Sequence, residues 1–406
     1  AKTSLGELMT KEDFGIIFAA GTVTYAVAFL VNGPLVDRIG GRKGMLIGTG
    51  GALLANAAMG VYLYSVIASG AATEAPLRLV FSLLYAVNMY FQSYGAVSIV
   101  KVNAHWFHVT ERGGFSGIFG TMISSGIFFA FTVNGWVLDL AEHVLPDSTS
   151  ASRAWVVFAF PALLLLVLWF VEVFLLRDTP GKAGHEDFDT GDASSGEAAD
   201  APQNAVLLIK KILTNPIILT VAAIEFCTGV LRNGVMHWFP IYAKEIWVLP
   251  NEHLLRSGSW ENLWLVAGCF AVAIVSFVIA GLTKGQRRAY LIVLGALAFL
   301  APFVQAGLGG LLFVAGVVGG NVAGWVSDLF FQSRRAPAAG GLYFFLGICT
   351  LAMAFALARP TNEVMEADEA SGLRAGDRIL AIAGADDISG WAGVRNAVAC
   401  WEPMCV

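Results

Sequence analysis

Charge is scarce in this chain. Asp, Glu, Lys and Arg make up 14% of its 406 residues, against 57% hydrophobic residues. A soluble chain carries about 25% charged residues. The shortage excludes a single soluble domain, a disordered chain and a nucleic-acid binder. Cysteine is also sparse. Cys400 and Cys405 fall near the end, Cys227 and Cys269 lie inside apolar runs, and none has metal-like or redox-like spacing. Six histidines are scattered without a ligand cluster. No GxxxxGKS loop and no thiol–base pair points to an enzyme, and no cofactor or metal is implied.

Long apolar runs are what the chain has instead. Ten blocks, each long enough to cross a hydrocarbon core of about 30 Å, fall at 14–36, 44–69, 79–100, 115–137, 155–176, 216–243, 262–282, 289–308, 310–327 and 340–358. They predict an all-α polytopic membrane protein whose first partner is the lipid bilayer. The one long connector, 177–215, is rich in Gly, Ser, Ala and acidic residues, which predicts a flexible linker between bundles at 1–176 and 216–358. Basic residues concentrate in loops 37–43, 101–114, 177–215, 283–288 and 328–339, more than twice as many as on the opposite side. The positive-inside rule therefore makes these loops cytoplasmic. The start at Ala1 and the abrupt end after Trp401-Glu402-Pro403 lead us to expect a fragment.

Two loops carry the same device. Gly33 to Gly48 reads GPLVDRIGGRKGMLIG, with Asp37 at a helix end followed by Arg38, Arg42 and Lys43. Gly324 to Pro337 reads GWVSDLFFQSRRAP, with Asp328 followed by Arg334 and Arg335. Positive-inside topology accounts for the basic residues alone. The repeated Gly-x-x-x-Asp before a basic cluster points further, because internal repeats are how many transporters are built. These residues read as coupling or gating groups.

GPLVDRIGGRK resembles the signature between the second and third helices of the major facilitator superfamily, and the second copy resembles its echo between the eighth and ninth. The resemblance narrows to the organophosphate:phosphate antiporters, which include glycerol-3-phosphate and hexose-phosphate carriers and a related sugar-phosphate sensor. His105 to Gly114 (HWFHVTERGG), Arg177 to Pro180 (RDTP) and Leu231 to Glu245 (LRNGVMHWFPIYAKE) are similar to that family's fourth-helix exit, sixth-helix exit and seventh helix. The resemblance implies a two-bundle fold whose first helix lies upstream of Ala1 and whose tenth to twelfth helices lie beyond the end. Two spans exceed the family pattern, which implies an inserted helical hairpin within 262–308.

Arg232 stands mid-span, where a lone guanidinium is expensive and a functional reading is the default. The resembled family clamps the substrate's phosphate with this arginine and a second one on the missing first helix. The fork of N–H donors suits phosphate in a way a lysine does not. Glu225 lies two helical turns earlier on nearly the same face, so a structural Arg232–Glu225 pair is the competing reading. The two readings coexist if phosphate displaces the carboxylate. Tyr25 and Trp238 match the family's binding site, whereas its Asp before the Trp is His237 here. Asn233 is a polar neighbour that equally serves to bond across helices. Phe29 and Ile123 stand where glycerol-phosphate carriers have a Lys and a His, which leaves the substrate open.

Within 360–406, SGLRAGDRILAIAG resembles the core of a PDZ domain. A partial α/β PDZ-like tail on the external or periplasmic side is therefore expected, with a peptide or protein as its partner if the segment works. Three functions remain open: exchange of an organophosphate for inorganic phosphate in the bacterial inner membrane, sugar-phosphate sensing without transport, and carriage of another organic anion. All three take a small anionic metabolite.

Overall fold

The computed structural model describes residues 8–70, 74–108, 112–144, 152–191, 213–245, 253–255, 260, 262–331 and 335–357. Its regular structure is helical. The helices are α1 (Lys11–Ile39), α2 (Gly41–Ala68), α3 (Leu77–Trp106), α4 (Arg112–Phe128), α5 (Asn134–Val144), α6 (Val156–Leu175), α7 (Pro216–Glu245), α8 (Leu263–Leu282), α9 (Gln286–Val304), α10 (Gly307–Phe331) and α11 (Arg335–Leu357). Nine helical segments among the described residues are long and apolar enough to cross a membrane.

The tenth expected span, 79–100, falls on α3, which has the length but not the apolar character. Its position explains the difference. At 30 residues it extends about 45 Å, and it packs against both α1 and α2. Asn88 and Ser93 are buried against those neighbours. Asn88 donates to the Ala52 carbonyl at 3.2 Å, and Asn32 of α1 donates to the Ser93 hydroxyl at 2.7 Å. A helix inside a bundle keeps polar residues that a lipid-facing helix loses.

Start and stop signals follow local chemistry. The Thr10 side chain accepts from the Asp13 N–H, and Asp13 accepts from the Thr10 N–H, which closes a capping box at α1. Between α1 and α2 the chain turns at Gly40, whose φ of 92° favours glycine. The span expected at 115–137 is longer, Phe119–Val144, and contains a π-helical turn at Phe129–Val133. Opposite it, Pro161 lies inside α6 and cannot donate to the carbonyl one turn back. That carbonyl, on Val157, accepts from Asn134 Nδ2 at 3.3 Å.

The chain divides into two compact units, Ala1–Ser116 with Gly126–Pro216, and Gly117–Ser125 with Ile217–Val406. In the first, α3 packs against α1 and α2, and α2 packs against α6. Met59, Leu63, Leu77 and Phe81 form the centre of its core. The start of the connector, 177–191, has a defined path. A 3-10 turn at Gly181–Ala183 is closed by the Gly184 N–H donating to the Gly181 carbonyl at 3.1 Å, and the Gly181 N–H donates to Asp187 at 2.7 Å. The remainder of the connector up to 212 lies outside the described residues.

In the second unit α8 pairs with α9, which leads through Gly307 into α10 and then α11. Trp260, Phe270, Phe299, Phe303 and Phe313 interlock edge to face or tilted, with centroids 4.6–6.1 Å apart. Trp260 Nε1 donates to the Pro302 carbonyl at 2.8 Å. The outer surfaces of α8 and α9 are apolar and exposed, with Trp264 89% accessible. Gly120 and Ser124 of α4 lie against Gly316 and Gly320 of α10, a small-residue crossing that brings two backbones close.

The α/β tail expected over 360–406 is withdrawn, and the fold class is corrected to all-α. No β-strand occurs among the described residues, and the segment itself lies outside them. The Gly-Leu-x-x-Gly-Asp pattern is a short-range turn signal, and a stable sheet needs three or more paired strands or a covering helix. The peptide partner that rested on the tail is withdrawn with it.

Candidate functional site

Helix α7 carries most of the expected binding residues. It begins at Pro216, where the missing N–H costs nothing in the first helical turn. It is also the least enclosed of the spanning helices, for none of its most apolar stretch is buried. Arg232 lies on the side turned to α11. Thr228, Leu231, Arg232 and Val235 of α7 and Tyr343, Leu346, Cys349, Thr350 and Met353 of α11 line a cleft of about 420 Å³. No residue of 262–308 lines it. Arg232 supplies the only charge in this lining. The Thr228 and Thr350 hydroxyls donate to carbonyls of their own helices, at 3.1 Å and 2.8 Å.

The pairing of Glu225 with Arg232 does not form. Glu225 accepts instead from the Tyr343 hydroxyl at 3.0 Å, a bond that ties α7 to α11. Among the described residues, no ion pair or hydrogen bond engages the Arg232 side chain. Two helical turns separate Arg232 and Glu225 by about 10 Å along the axis, and α11 offers the carboxylate a nearer donor. Tyr343 was not legible beforehand, because its hydroxyl meets Glu225 only through tertiary packing.

The other binding candidates on α7 do not line this cleft. Asn233 and His237 are half-buried and Trp238 is 48% exposed, all on α7 outside the cleft lining. Tyr25 belongs to the first unit, where its ring meets Phe29 edge-on at 5.0 Å. Phe29 and Ile123 are both exposed apolar residues.

The loop signature in the first unit is held by partners on other helices. Asp37 pairs with Lys101 of α3 at 3.1 Å, and Lys101 also donates to the Asp37 carbonyl at 2.8 Å. Arg42 works through its backbone, its N–H donating to Asp178 at 2.6 Å, while its Nη2 donates to the Val173 carbonyl at 2.8 Å. Lys182 pairs with Asp178 at 3.0 Å, and Trp106 Nε1 donates to the Arg177 carbonyl at 3.1 Å. Burial pushes the Asp178 carboxyl up, but the Arg42 N–H, the Lys182 ammonium and nearby His105 outweigh it and hold it below the usual carboxylate range. Arg38 and Lys43 are exposed. In the second copy, Asp328 lies in the last turn of α10 and Arg335 begins α11, while Arg334 lies outside the described residues. Lys101, Asp178 and Lys182 were missed as site residues, although Asp178 stands inside the quoted RDTP motif.

Long apolar helices make up the described residues, and one of them carries Arg232 in the middle of its length. The Major Facilitator Superfamily matches residues 2–357, and the chain belongs to it. It is an integral membrane protein. A glycerol-3-phosphate transporter of Bacillus subtilis strain 168 is 24% identical over 364 residues, covering 88% of this chain and 65% of that protein. A probable hexose phosphate transport protein of Chlamydia trachomatis is 22% identical over 292 residues, 68% of this chain and 58% of the relative. The membrane sensor protein UhpC of Escherichia coli K12 is 24% identical over 246 residues, 59% and 50% respectively. The chain thus spans less than two thirds of the length of these relatives. Membership of the organophosphate:phosphate antiporters, expected from the motifs, is corrected to a distant relationship. Identity over the matched length stays near a quarter.

Proposed function

We propose that this chain belongs to a secondary transporter that exchanges a phosphorylated metabolite for inorganic phosphate by alternating access. The observation that carries the reading is Arg232, a cation without a carboxylate partner, lining an otherwise uncharged cleft within a membrane span. A guanidinium in that setting attracts an oxyanion, and phosphate accepts two parallel N–H bonds from its fork. The superfamily membership and the similarity to glycerol-phosphate and hexose-phosphate transporters support this substrate class. Tyr25, Asn233, His237 and Trp238 are offered as further substrate contacts. Asp37, Arg38, Arg42, Lys43, Asp328, Arg334 and Arg335 are offered as the gating groups, and the bacterial inner membrane as the location, with basic loops facing the cytoplasm.

Binding alone needs no transport, and the similarity to UhpC favours a sensor as the second reading. Counterflow separates them. Proteoliposomes loaded with phosphate and containing the full-length protein are expected to take up radiolabelled glycerol-3-phosphate or a hexose phosphate. Phosphate binding without any counterflow contradicts the transporter and leaves the sensor.

A further inference from the structure

We propose that Glu172 is a proton-binding site of the first unit, holding a proton on its Oε2 atom. It is the one ionisable residue within the span Val156–Leu175. Its two oxygens differ. Oε1 accepts from the Thr49 hydroxyl of α2 at 3.0 Å, whereas Oε2 is buried and has no hydrogen-bond partner. An ionised carboxylate needs donors at both oxygens or a cation beside it, and burial without them favours the neutral acid. Protonation makes Oε2 a hydroxyl and removes the charge from the span.

The groups on the packing elements leave the ionised form uncompensated. From α2, Arg42 places its guanidinium on the Val173 carbonyl, and Lys43 is exposed. From α5, Asp139, Glu142 and His143 lie beyond Asn134, the residue that meets the opposite end of α6 at Val157, and Glu142 pairs with Arg153 at 3.4 Å. At the exit of α6, Arg177 donates to the Leu176 carbonyl. None of these forms an ion pair with Glu172. Arg42 Nε is buried and also lacks a partner. Arg42 is held away from the carboxylate, its backbone N–H anchored to Asp178 and its Nη2 to the Val173 carbonyl.

A cavity lies beside the Thr49 hydroxyl. Thr49, the hydroxyl on Glu172, lines a cavity of about 490 Å³ together with Asn56 of α2, Gln92 of α3 and the π-helical turn at Phe129. π-Turns within α-helices occur often at functional sites. This site stands apart from Arg232 and does not rest on phosphate exchange.

The test uses the full-length protein in proteoliposomes with dicyclohexylcarbodiimide. A protonated carboxyl adds its O–H across a C=N bond of the reagent, and the adduct rearranges to a stable N-acylurea that peptide mass spectrometry assigns to one residue. Labelling of Glu172 is expected at about pH 6, falling at least about tenfold by about pH 9, the range open to a buried glutamate. Thr49→Val removes the donor to the ionised form and is expected to move the midpoint upward. An infrared carboxylic-acid band present at about pH 6 and lost in Glu172→Gln is the second readout. Absence of both the label and the band in the unmodified protein overturns the proposal. So does a Glu172 label of constant yield across this pH range.

Discussion

Helices α2 and α7, one from each unit, differ in how far they are enclosed. In the first, 39% of the α2 span is buried, and Asn88 and Ser93 of α3 meet partners on α2 and α1. In the second, none of the α7 span is buried, and the helix is tied to α11 by the Glu225–Tyr343 bond. The contrast extends to where charge is paired. Charge on the first unit is spent on locking helix ends, at Asp37–Lys101 and Asp178–Lys182. Arg232 is left available on a helix with room beside it, which is what a binding residue requires and a packing residue does not.

The largest expected effect breaks the contrast on the second unit. Arg232→Ala is expected to lower phosphate exchange by about a hundredfold, and Arg232→Lys by about tenfold, since a hydrogen bond to a charged group is worth about 1.5–3 kcal/mol. Folded yield is expected to stay unchanged in both, because Glu225 keeps Tyr343 as its donor. Size-exclusion profiles measured beside the exchange assay check this.

Packing gives the next effect. A Cβ at Gly51 of α2 would collide with the Phe91 ring, whereas one at Gly229 or Gly234 of α7 meets nothing within 4 Å. Gly51→Ala is expected to destabilise by about 1–3 kcal/mol through overpacking, and Gly229→Ala by less than about 0.5 kcal/mol. Thermal unfolding in one detergent, read for both variants, sharpens or erases the difference between the units.

Acid sensitivity is smaller and belongs to the first unit. Asp178 has a folded pKa below its unfolded value. Its contribution is therefore complete above the ordinary carboxyl value of about 3.9 and is lost as pH falls through the lower folded value. Asp178→Asn is expected to lower stability at neutral pH by about 1 kcal/mol and to flatten the acid limb below about pH 4. The smallest effect is that of Tyr343→Phe. It removes the donor to a Glu225 that is exposed in the protein, and is expected to cost under about 1 kcal/mol with exchange changed less than about threefold.

How much of this was legible depended on the range of the interaction. Spans of apolar residues are local, so the helices of both units follow from the sequence, and Arg232 stood out as a guanidinium among apolar neighbours. The helix over 79–100 was legible from its apolar run, but its buried polar residues acquire meaning only against α1 and α2. Asp37 was singled out, while its partner Lys101 lies 64 residues away. The Arg42–Asp178 bond spans 136 residues and uses a backbone N–H, which carries no residue-specific signal. Glu225 was assigned to Arg232 because helical spacing was the only geometry available, and the Tyr343 hydroxyl from α11 displaced that assignment. The PDZ-like reading failed in the opposite way, by promoting a local turn pattern to a domain.

Equilibrium binding of radiolabelled phosphate to the detergent-solubilised full-length protein, with Arg232→Lys and Tyr343→Phe alongside, bears most directly on the role of Arg232. The account predicts affinity reduced at least about tenfold in Arg232→Lys and nearly unchanged in Tyr343→Phe. Equal affinity in the unmodified protein and Arg232→Lys would contradict it, and would make Arg232 a residue of packing or topology.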